Sequence, residues 1–319
     1  MEKRQEILKI LSATLRGIVS RMTMDFDKLR ELRLRVNGPF IVLVGSKEYF
    51  VSEKGAFVGQ AEDAYLVKAR DIKETLEYIS SFSLYAYEDE IRQGYITIAG
   101  GHRVGLAGKV VLDRGKVRSV KHISFINIRM SHERKGCGNV LLPYIYDDKS
   151  IYHTLIISPP GCGKTTLLRD VVRLISDGDE GHPGVNVGVV DERSEIGASY
   201  MGVPQNDVGI RTDVLDCCPK ALGMLMMIRS MSPQVVAVDE IGKHEDIDAL
   251  AYAMNCGCKM IATVHGDSIE DIKNKPVLRK LIEEKLFRRF VVLNGSGMPG
   301  RVEKIFDERG SVLYGGEEG

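Results

Sequence analysis

The hydrophobic pattern changes character about half-way along this chain. Before residue 135, apolar and polar residues alternate in short segments, as in the run E-L-R-L-R-V within residues 29–36, which predicts half-buried strands. After residue 151, short continuous apolar runs are separated by segments of helical periodicity, which predicts buried parallel strands joined by helices. The sequence therefore predicts a smaller α+β domain over 1–135, a hinge or linker over 136–150 and an α/β domain with a mostly parallel sheet over 151–319.

In the first domain, the pattern predicts one long amphipathic helix followed by strands, two short helices and a hairpin. The long helix spans residues 4–21, the strands span 29–36, 40–44 and 47–51, and the short helices span 69–80 and 84–92. The hairpin is formed by 95–99 and 102–111, and a further strand follows over 116–130.

In the second domain, strands and helices alternate. The predicted strands span 154–157, 185–190, 234–238, 259–264 and 290–293, the predicted helices span 164–176, 219–230, 245–255 and 269–286, with a break before Pro276, and a closing hairpin is predicted over 302–306 and 312–314.

The first candidate chemistry lies where the first strand of the second domain meets its first helix. The segment S-P-P-G-C-G-K-T-T follows an apolar run and opens a helical pattern, which is the context of a phosphate-binding P-loop. Glycines let backbone N–H groups turn toward a phosphate, and the helix N-terminus adds its dipole. We therefore predict that ATP is held by the following residues: Pro159, Pro160, Gly161, Cys162, Gly163, Lys164, Thr165 and Thr166.

One position departs from the P-loop pattern G-x-x-x-x-G-K-[ST]. Ser158 stands where the pattern has glycine. A serine there is expected to restrict the backbone without removing the phosphate cradle.

Three further strands of this domain also end in reactive polar residues. The strand over 185–190 precedes the acidic segment D-E-R-S-E, the strand over 234–238 precedes Asp239 and Glu240, and the strand over 259–264 precedes His265. Ligands of open α/β sheets bind at the carboxyl ends of the strands. We therefore expect these side chains to converge with the P-loop around one triphosphate.

Within this group, the chemistry of each residue type suggests a role. Thr165 and Asp239 are the expected Mg²⁺ ligands, and Glu240 is the expected base that polarises the attacking water. Glu192 and Glu195 are either additional carboxylates near the γ-phosphate or members of a solvated loop. His265 either senses the γ-phosphate or serves as a structural hydrogen-bonding group.

Charge is balanced over the 319 residues but not along them. Residues 1–150 carry a net charge of +6 and residues 151–319 carry −6, and the segment 92–135 has ten basic residues against two acidic ones. Charge in a phosphoryl-transfer transition state is stabilised by arginine, and the first domain offers Arg103 and Arg129 as candidates. The alternative for both is an ordinary exposed strand arginine.

No apolar run approaches membrane-spanning length, and the first residues lack a signal-peptide core, so we expect a cytoplasmic protein. The six cysteines have no zinc-binding spacing, which favours reduced thiols.

The four strand ends, together with E-L-R-L-R-V-N-G-P and G-G-H-R-V-G-L-A-G in the first domain, resemble a known family. The chain is similar to the secretion-type ATPases of type II and type IV secretion and of pilus motors, and over nearly its full length to the stage III sporulation protein AA family of endospore-forming bacteria. The resemblance implies a RecA-like P-loop NTPase domain, a homo-oligomeric hexameric ring, and a role in powering a membrane-embedded channel complex, reached through a partner protein, from the mother-cell side.

The same resemblance implies roles for single residues. Glu195 would be the key carboxylate of an acidic box, His265 would belong to a histidine box, and Arg103 and Arg129 would reach nucleotide within the ring. Secretion ATPases usually have glycine before the glutamate that this chain has at Glu240, which leaves open whether Asp239 handles the metal.

Two other functions remain as alternatives. A nucleic-acid-binding ATPase would use the basic hairpins of 92–135, although that segment has few aromatic residues for base stacking, which makes nucleic acid the less favoured partner. An ATP-gated scaffold with little turnover is the other, and Ser158 gives it slight support.

Overall fold

The computed structural model describes residues 2–81, 83, 87–147, 150–293 and 299–315. The chain divides into two compact units, unit 1 over Met1–His132 and unit 2 over Glu133–Gly319. Residues 84–86 of the helix predicted over 84–92, and residues 148 and 149 of the predicted linker, lie outside the described residues.

Unit 1 contains four helices and seven strands among its described residues. In chain order they are α1 (Glu2–Ile10), α2 (Ala13–Arg21), β1 (Leu29–Arg35), β2 (Ile41–Val44), β3 (Lys47–Val51), β4 (Phe57–Val58), α3 (Ala69–Ile79), α4 (Glu88–Gln93), β5 (Tyr95–Ile98), β6 (His102–Asp113) and β7 (Lys116–Arg129).

The seven strands of unit 1 form one sheet in the order β4-β3-β2-β1-β7-β6-β5, and every neighbouring pair is antiparallel. Alternation along β1 buries Leu32 and Leu34, as the sequence pattern predicts for a sheet with one covered face. Helices α1, α2 and α3 contact one another, and α3 contacts β7. The predicted α+β architecture is thus confirmed for this unit.

The single helix predicted over 4–21 is wrong, because the chain forms two helices that meet at Ser12. Ser12 has non-helical backbone angles, and its Oγ accepts a hydrogen bond from Leu15 N, which makes it the N-cap of α2. Its Oγ also donates to Asp71 Oδ1 at 3.0 Å. The apolar spacing was correct, since Ile7, Leu11 and Leu15 are buried, but apolar spacing does not reveal a cap inside the pattern.

Unit 2 contains six helices and ten strands among its described residues. In chain order they are α5 (Leu142–Ile145), β8 (Tyr146–Asp147), β9 (Ser150–Ile151), β10 (Thr154–Ser158), α6 (Lys164–Asp177), β11 (Val187–Asp191), β12 (Thr212–Asp216), α7 (Lys220–Met231), β13 (Val235–Val238), α8 (His244–Asn255), β14 (Lys259–His265), α9 (Ile269–Asn274), α10 (Pro276–Glu283), β15 (Arg289–Leu293), β16 (Val302–Asp307) and β17 (Val312–Gly315).

Eight of these strands form a sheet in the order β12-β11-β13-β14-β10-β15-β16-β17. The pairs from β12 through to β15 are parallel, and β16 and β17 extend the sheet in antiparallel fashion. The mostly parallel sheet and the closing hairpin are therefore confirmed. The edge strand β12 was not predicted, because its sequence T-D-V-L-D alternates polar and apolar residues within a domain of continuous apolar strands.

The sheet of unit 2 lies between two hydrophobic clusters, as expected for parallel strands buried on both faces. Successive residues of β10 point to opposite clusters: Leu155 and Ile157 pack with Leu250 of α8, and Ile156 packs with Leu168 of α6. This packing fixes β10 between the helices and so sets the position of the loop that follows it. Among the described residues, no helix combines the length and the apolar composition needed to span a bilayer.

Candidate functional site

Four neighbouring strands of unit 2 end at the same edge of the sheet. In the order β11-β13-β14-β10 they are parallel and hydrogen-bonded in register. The polar segments predicted to converge follow these four strands. The parallel arrangement therefore brings the carboxyl ends of all four together, as in other open α/β sheets.

The loop between β10 and α6 has the backbone of a phosphate cradle. Gly161 and Gly163 have positive φ angles of 78° and 87°. A Cβ atom on Gly163 would lie 2.3 Å from Gly300 N, so no side chain fits there. Gly300 N donates a 2.7 Å hydrogen bond to Cys162 O, which holds the loop from behind. Two glycines are thus required by conformation or by space, as the sequence pattern predicts.

The remaining predicted loop residues flank these glycines. Pro159 and Pro160 begin the loop, and Thr165 and Thr166 belong to the first turn of α6 after Lys164.

Ser158 does not strain the loop, although glycine is the usual residue at this point of a P-loop. It is the last residue of β10, it is fully buried, and its φ angle is not among the positive ones. Its Oγ donates to Pro159 O at 2.8 Å. Because its backbone stays in the strand region, serine is tolerated, and the substitution gives no support to a loop with impaired binding.

At the end of β13, Glu240 forms the centre of a charged cluster. Its Oε1 accepts a hydrogen bond from Lys164 Nζ at 2.6 Å and lies 3.1 Å from His265 Nε2. Its Oε2 accepts one from Arg193 Nη1 at 2.8 Å. The cluster therefore brings three of the predicted catalytic residues, Lys164, Glu240 and His265, within hydrogen-bond distance of one another.

The charges around Glu240 set its ionisation. Burial alone would raise the pKa of this carboxyl, but the hydrogen bond and charge of Lys164, with the charges of Arg193 and His265, outweigh burial and lower the pKa below its usual value. Glu240 also has a φ angle of 55°, in the left-handed region that favours glycine. A non-glycine residue at such an angle is held there by its surroundings, which here include a 2.9 Å bond from Glu240 N to Thr263 Oγ1.

Next to Glu240, Asp239 joins the P-loop helix to β14. Its Oδ2 accepts a hydrogen bond from Thr165 Oγ1 at 2.5 Å, and its Oδ1 accepts one from Thr263 Oγ1. A hydroxyl and a carboxylate side by side at a phosphate cradle are the protein oxygens that Mg²⁺ uses when phosphate oxygens and water complete its shell. The two predicted metal ligands therefore fit the ion. Among the described residues, no group of three or more His, Cys, Asp or Glu side chains forms a metal site independent of nucleotide.

The acidic segment after β11 is folded around Asp191. This buried carboxylate accepts backbone hydrogen bonds from Glu195, Ile196 and Gly197 at 2.8 to 2.9 Å. Burial raises the pKa of Asp191 to about 6 in spite of these donors, and the charge of Asp216 on the neighbouring strand adds to the rise. Asp191 thus shapes the loop that presents Glu195.

Arg169 of α6 holds the same loop from the other side. Its Nε donates to Ile196 O at 2.6 Å and its Nη2 donates to Glu195 O at 2.5 Å. Glu195 and Glu240 line one cleft, together with Glu192, which is ion-paired with Lys220 at the start of α7. The structure thus places Glu195 in the same cleft as Glu240.

The other two predicted arginines lie in unit 1. Arg103 and Arg129 face each other in register across β6 and β7, and the guanidinium of Arg103 lies 3.6 Å from the ring centroid of Tyr95. Their contribution to a nucleotide site stays a prediction.

Sequence reasoning missed several residues that shape the site. Arg169 lies five residues after the P-loop lysine, and Thr263 lies two residues before His265 in β14. Both act through backbone and hydroxyl hydrogen bonds rather than by charge on a ligand. The position of Arg169 relative to Lys164 could be read from the sequence. Its hydrogen bonds to backbone oxygens of the acidic loop could not, because the sequence of a helix does not indicate which loop an arginine contacts.

A family model and a bacterial protein match the chain over nearly its full length, and a plant protein matches about half of it. A family model described as "Sporulation stage III, protein AA" matches residues 1–313. The Stage III sporulation protein AA of Bacillus subtilis (strain 168) is 43% identical over 309 residues, which span 97% of this chain and 96% of that protein. Protein SEEDLING PLASTID DEVELOPMENT 1 of Arabidopsis thaliana is 32% identical over 159 residues, which cover 49% of this chain and 22% of that protein.

Solved structures show the fold. The pilus retraction motor PilT with bound ADP superposes with a TM-score of 0.59 at 14% identity, covering 98% of this chain and 84% of that chain. The Legionella pneumophila ATPase DotB gives a TM-score of 0.53 at 13% identity, covering 83% and 72%. The predicted fold class, a RecA-like α/β domain preceded by a smaller domain, is thereby confirmed.

Proposed function

Because this chain belongs to the sporulation stage III protein AA family, we propose that it works as a Mg²⁺-dependent ATPase of the secretion-motor type. Hydrolysis of ATP would power a membrane-embedded secretion-like complex between mother cell and forespore. The chain would act from the cytoplasmic, mother-cell side, bound to that complex through a partner protein.

One observation carries the enzymatic part of this proposal. Lys164 of the P-loop, Glu240 after β13 and His265 at the end of β14 come from three separate segments, yet they lie within 3.4 Å of one another. Thr165 and Asp239 lie beside them as a second contact between the same segments. This is the geometry that phosphoryl transfer to water requires: a cation, a metal-binding pair and a carboxylate base around one point.

Bound MgATP would supply the phosphoryl group and the divalent charge that neutralises it. The backbone N–H groups after Gly161 would bind phosphate oxygens, and Lys164 would place its ammonium against the outer phosphates. Thr165 and Asp239 would hold the metal through their oxygens. Glu240 would accept the proton of the attacking water.

The contacts of Lys164 connect these events. Its ammonium donates a hydrogen bond to Glu240, and a phosphate at the loop would compete with that carboxylate for Lys164. Glu240 is then released toward water while it keeps Arg193 and the acidic loop nearby. Phosphate binding and activation of the base are thereby coupled in one exchange of partners.

The assembly is also part of the proposal. DotB is an ATPase, and PilT is a pilus retraction motor whose structure holds ADP. We infer a homo-oligomeric ring, with six subunits as the expected number, in which Arg103 and Arg129 reach a nucleotide. Charge opposition between a basic first half and an acidic second half supports contacts between copies.

The test measures phosphate release by the purified full chain with ATP, with and without Mg²⁺. We expect Lys164→Ala to lower the rate about 1,000-fold, because it removes the main cation from the developing charge. Lys280→Ala is the matched control, since Lys280 is a half-exposed lysine of unit 2 on α10. Equal rates for wild type and Lys164→Ala, or no ATP binding by the wild type, would overturn the proposal.

A second candidate function, an ATP-gated scaffold with little turnover, is favoured by the Lys164–Glu240 pair itself, which neutralises both groups. The two candidates differ in the effect of Glu240→Gln on the assembled complex. A motor loses about 100-fold or more in turnover when its base is removed. A scaffold turns over slowly in both forms and responds to ATP binding alone.

A further inference from the structure

The longest strand pair of unit 1 extends beyond its sheet. Strand β1 pairs with β7 only over Phe125–Arg129, and β5 pairs with β6 only over His102–Gly105. From Lys109 to Lys121 the two long strands pair with each other alone among the described strands, through the turn at 114–115. We call this segment, residues 109–121, the β6–β7 arm.

An irregularity marks the place where the arm leaves the sheet. The register shifts between Ala107 and Lys109, and His122 on the opposite strand has a φ angle of 48°. A Cβ atom on Gly108 would lie 2.6 Å from Lys121 O, so glycine is required by the close approach of the two backbones. Bulges of this kind bend and twist a strand pair. The arm is thus a strand pair that leaves the sheet at a defined bulge, at Gly108 and His122.

One face of the arm is apolar and open. Val110 and Leu112 lie two residues apart on β6 and so share a face; Val110 pairs with Val120, and beyond a register shift between Val111 and Leu112, Leu112 pairs with Val117. Val110, Leu112 and Val117 expose 50%, 63% and 40% of their surface. Helix α4 supports the arm through a bond from Arg92 Nε to Arg118 O, but it leaves these three residues exposed. An exposed aliphatic cluster at the end of a projection is unusual unless it meets an apolar partner.

The arm is also strongly basic. It carries five basic side chains, Lys109, Arg114, Lys116, Arg118 and Lys121, against one acidic side chain, Asp113, which gives a net charge of +4. None of the five basic side chains has an ion pair with another described residue of unit 1. Their charge is therefore available to an external anionic partner.

We propose that the β6–β7 arm docks on an anionic lipid bilayer, with the basic side chains at the headgroups and Leu112, Val110 and Val117 at the boundary with the acyl chains. Both components of interfacial binding, buried apolar surface and attraction to anionic lipid, lie on the same projection. A nucleic acid fits the charge but not the apolar face, because bases stack on aromatic rings and the arm presents aliphatic groups instead.

This inference concerns a contact that the proposed function does not include. There, the chain reaches the membrane through a partner protein, whereas the arm would touch lipid directly and without nucleotide. Lipid binding by the arm and ATP hydrolysis at the P-loop can be tested independently, because the arm belongs to unit 1 and the P-loop to unit 2.

The test is flotation of the purified full chain with vesicles, in the absence of nucleotide. We expect binding to vesicles of equal parts phosphatidylglycerol and phosphatidylcholine at about 0.1 M salt, and loss of that binding at about 0.5 M salt, where charges are screened over a few ångströms. Vesicles of phosphatidylcholine alone should bind at least tenfold more weakly.

Two variants separate the two components of the arm. Lys116→Gln/Arg118→Gln should weaken binding about 25-fold, on the basis of roughly fivefold for each basic side chain near the surface. Lys47→Gln/Lys54→Gln removes the same charge from exposed positions outside the arm, in β3 and the turn that follows it, and should leave binding within about twofold. Val110→Thr/Leu112→Gln keeps every charge and should weaken binding about tenfold. Leu66→Gln, at a residue that is 55% exposed outside the arm, is its matched control.

Several results would overturn the inference. These are equal binding to neutral vesicles, equal losses in the arm variants and their controls, or unchanged binding of Val110→Thr/Leu112→Gln. If the folded protein does not bind vesicles but retards single-stranded DNA or RNA in a gel at low salt, the arm binds nucleic acid instead. Circular dichroism and thermal unfolding of each variant show whether a loss of binding reflects a loss of folding.

Discussion

The two units of this protein use buried polar groups in opposite ways. In unit 1, Asp71 accepts hydrogen bonds from Ser12 Oγ, Tyr65 Oη and Lys68 N, all within 3.0 Å, and so ties two helices to a loop. In unit 2, Lys164 and Glu240 form an ion pair at the edge of the sheet, and Glu240 also lines the cleft that it shares with Glu195. The hydrogen bonds of Asp71 need no ligand. The ion pair of Lys164 and Glu240, by contrast, would be disturbed by a phosphate that competes for the lysine.

Strand direction decides whether polar strand ends can form a common site. Antiparallel neighbours end at opposite edges, so the polar ends of unit 1 are distributed between the two edges of its sheet. Parallel neighbours end together, so unit 2 collects its polar ends in one place. Substitutions at Asp71 and its partners should therefore change stability alone, and substitutions at the edge of the sheet in unit 2 should change binding and ionisation as well.

The largest effect is expected at a glycine. Gly163→Ala should lower the free energy of unfolding by about 3 kcal/mol and abolish ATP binding, because the residue has φ 87° and a Cβ atom would lie 2.3 Å from Gly300 N. Gly115→Ala in unit 1 has a similar φ of 77° but nothing within 4 Å, so it should cost about 1 kcal/mol. Urea unfolding measures both. Equal costs would show that the packing against Gly300 is unimportant.

Next in size is a pH dependence. The folded-state pKa of Asp191 is about 6 against a reference value of 3.8, and each pKa unit corresponds to 1.36 kcal/mol. The folded protein keeps this proton where the unfolded chain has lost it. The free energy of unfolding therefore falls by about 3 kcal/mol as the pH rises from about 4 to about 6, and this contribution is then constant.

Asp191→Asn should remove that part of the pH dependence. Unfolding midpoints at pH 4.5 and pH 7 for wild type and variant measure the difference. Asp213→Asn, on the neighbouring strand and exposed, is the control and should follow the wild type. A variant with the same pH dependence as the wild type would contradict the raised pKa.

A smaller effect is expected on affinity. Glu240→Gln should bind ATP about tenfold more tightly, because it removes the carboxylate that competes with phosphate for Lys164. Fluorescence titration with a labelled nucleotide measures this, and Glu245→Gln, at an exposed residue of α8, is the control. Weaker binding by Glu240→Gln would mean that Glu240 supports the nucleotide instead of competing with it.

The smallest effect belongs to unit 1. Ser12→Ala should lower the free energy of unfolding by about 1 kcal/mol, since it removes the N-cap of α2 and one donor to Asp71. Ser20→Ala removes an exposed hydroxyl that bonds only to its own helix, and it should cost less than about 0.5 kcal/mol. ATP binding should be unchanged in both. A change in ATP affinity would show that unit 1 influences the P-loop edge.

The sequence predicted the elements of unit 2 well, because continuous apolar strands followed by Asp-Glu or by glycine and lysine are strong local patterns. It located Lys164, Asp239, Glu240 and His265 at strand ends or in the loop that follows one, and the sheet order then brings them together. Positions set by pattern were therefore predictable.

Contacts set by side-chain conformation were not. The ion pair between Lys164 and Glu240, and the bonds from Arg169 to the backbone of the acidic loop, depend on where long side chains settle after folding. The break at Ser12 was missed for a related reason, because a cap is a backbone conformation and the apolar spacing continues through it.

The hydrogen bond from Gly300 to Cys162 has a mechanical consequence. Strand β16 begins two residues after Gly300. The phosphate loop is therefore connected to the antiparallel part of the sheet by one hydrogen bond and two residues of backbone. A phosphate that displaced the loop would therefore displace Gly300, and with it the start of β16, through this hydrogen bond. Phosphate binding at the loop would thus be coupled to the position of β16 and β17, and to any molecule bound against these two strands.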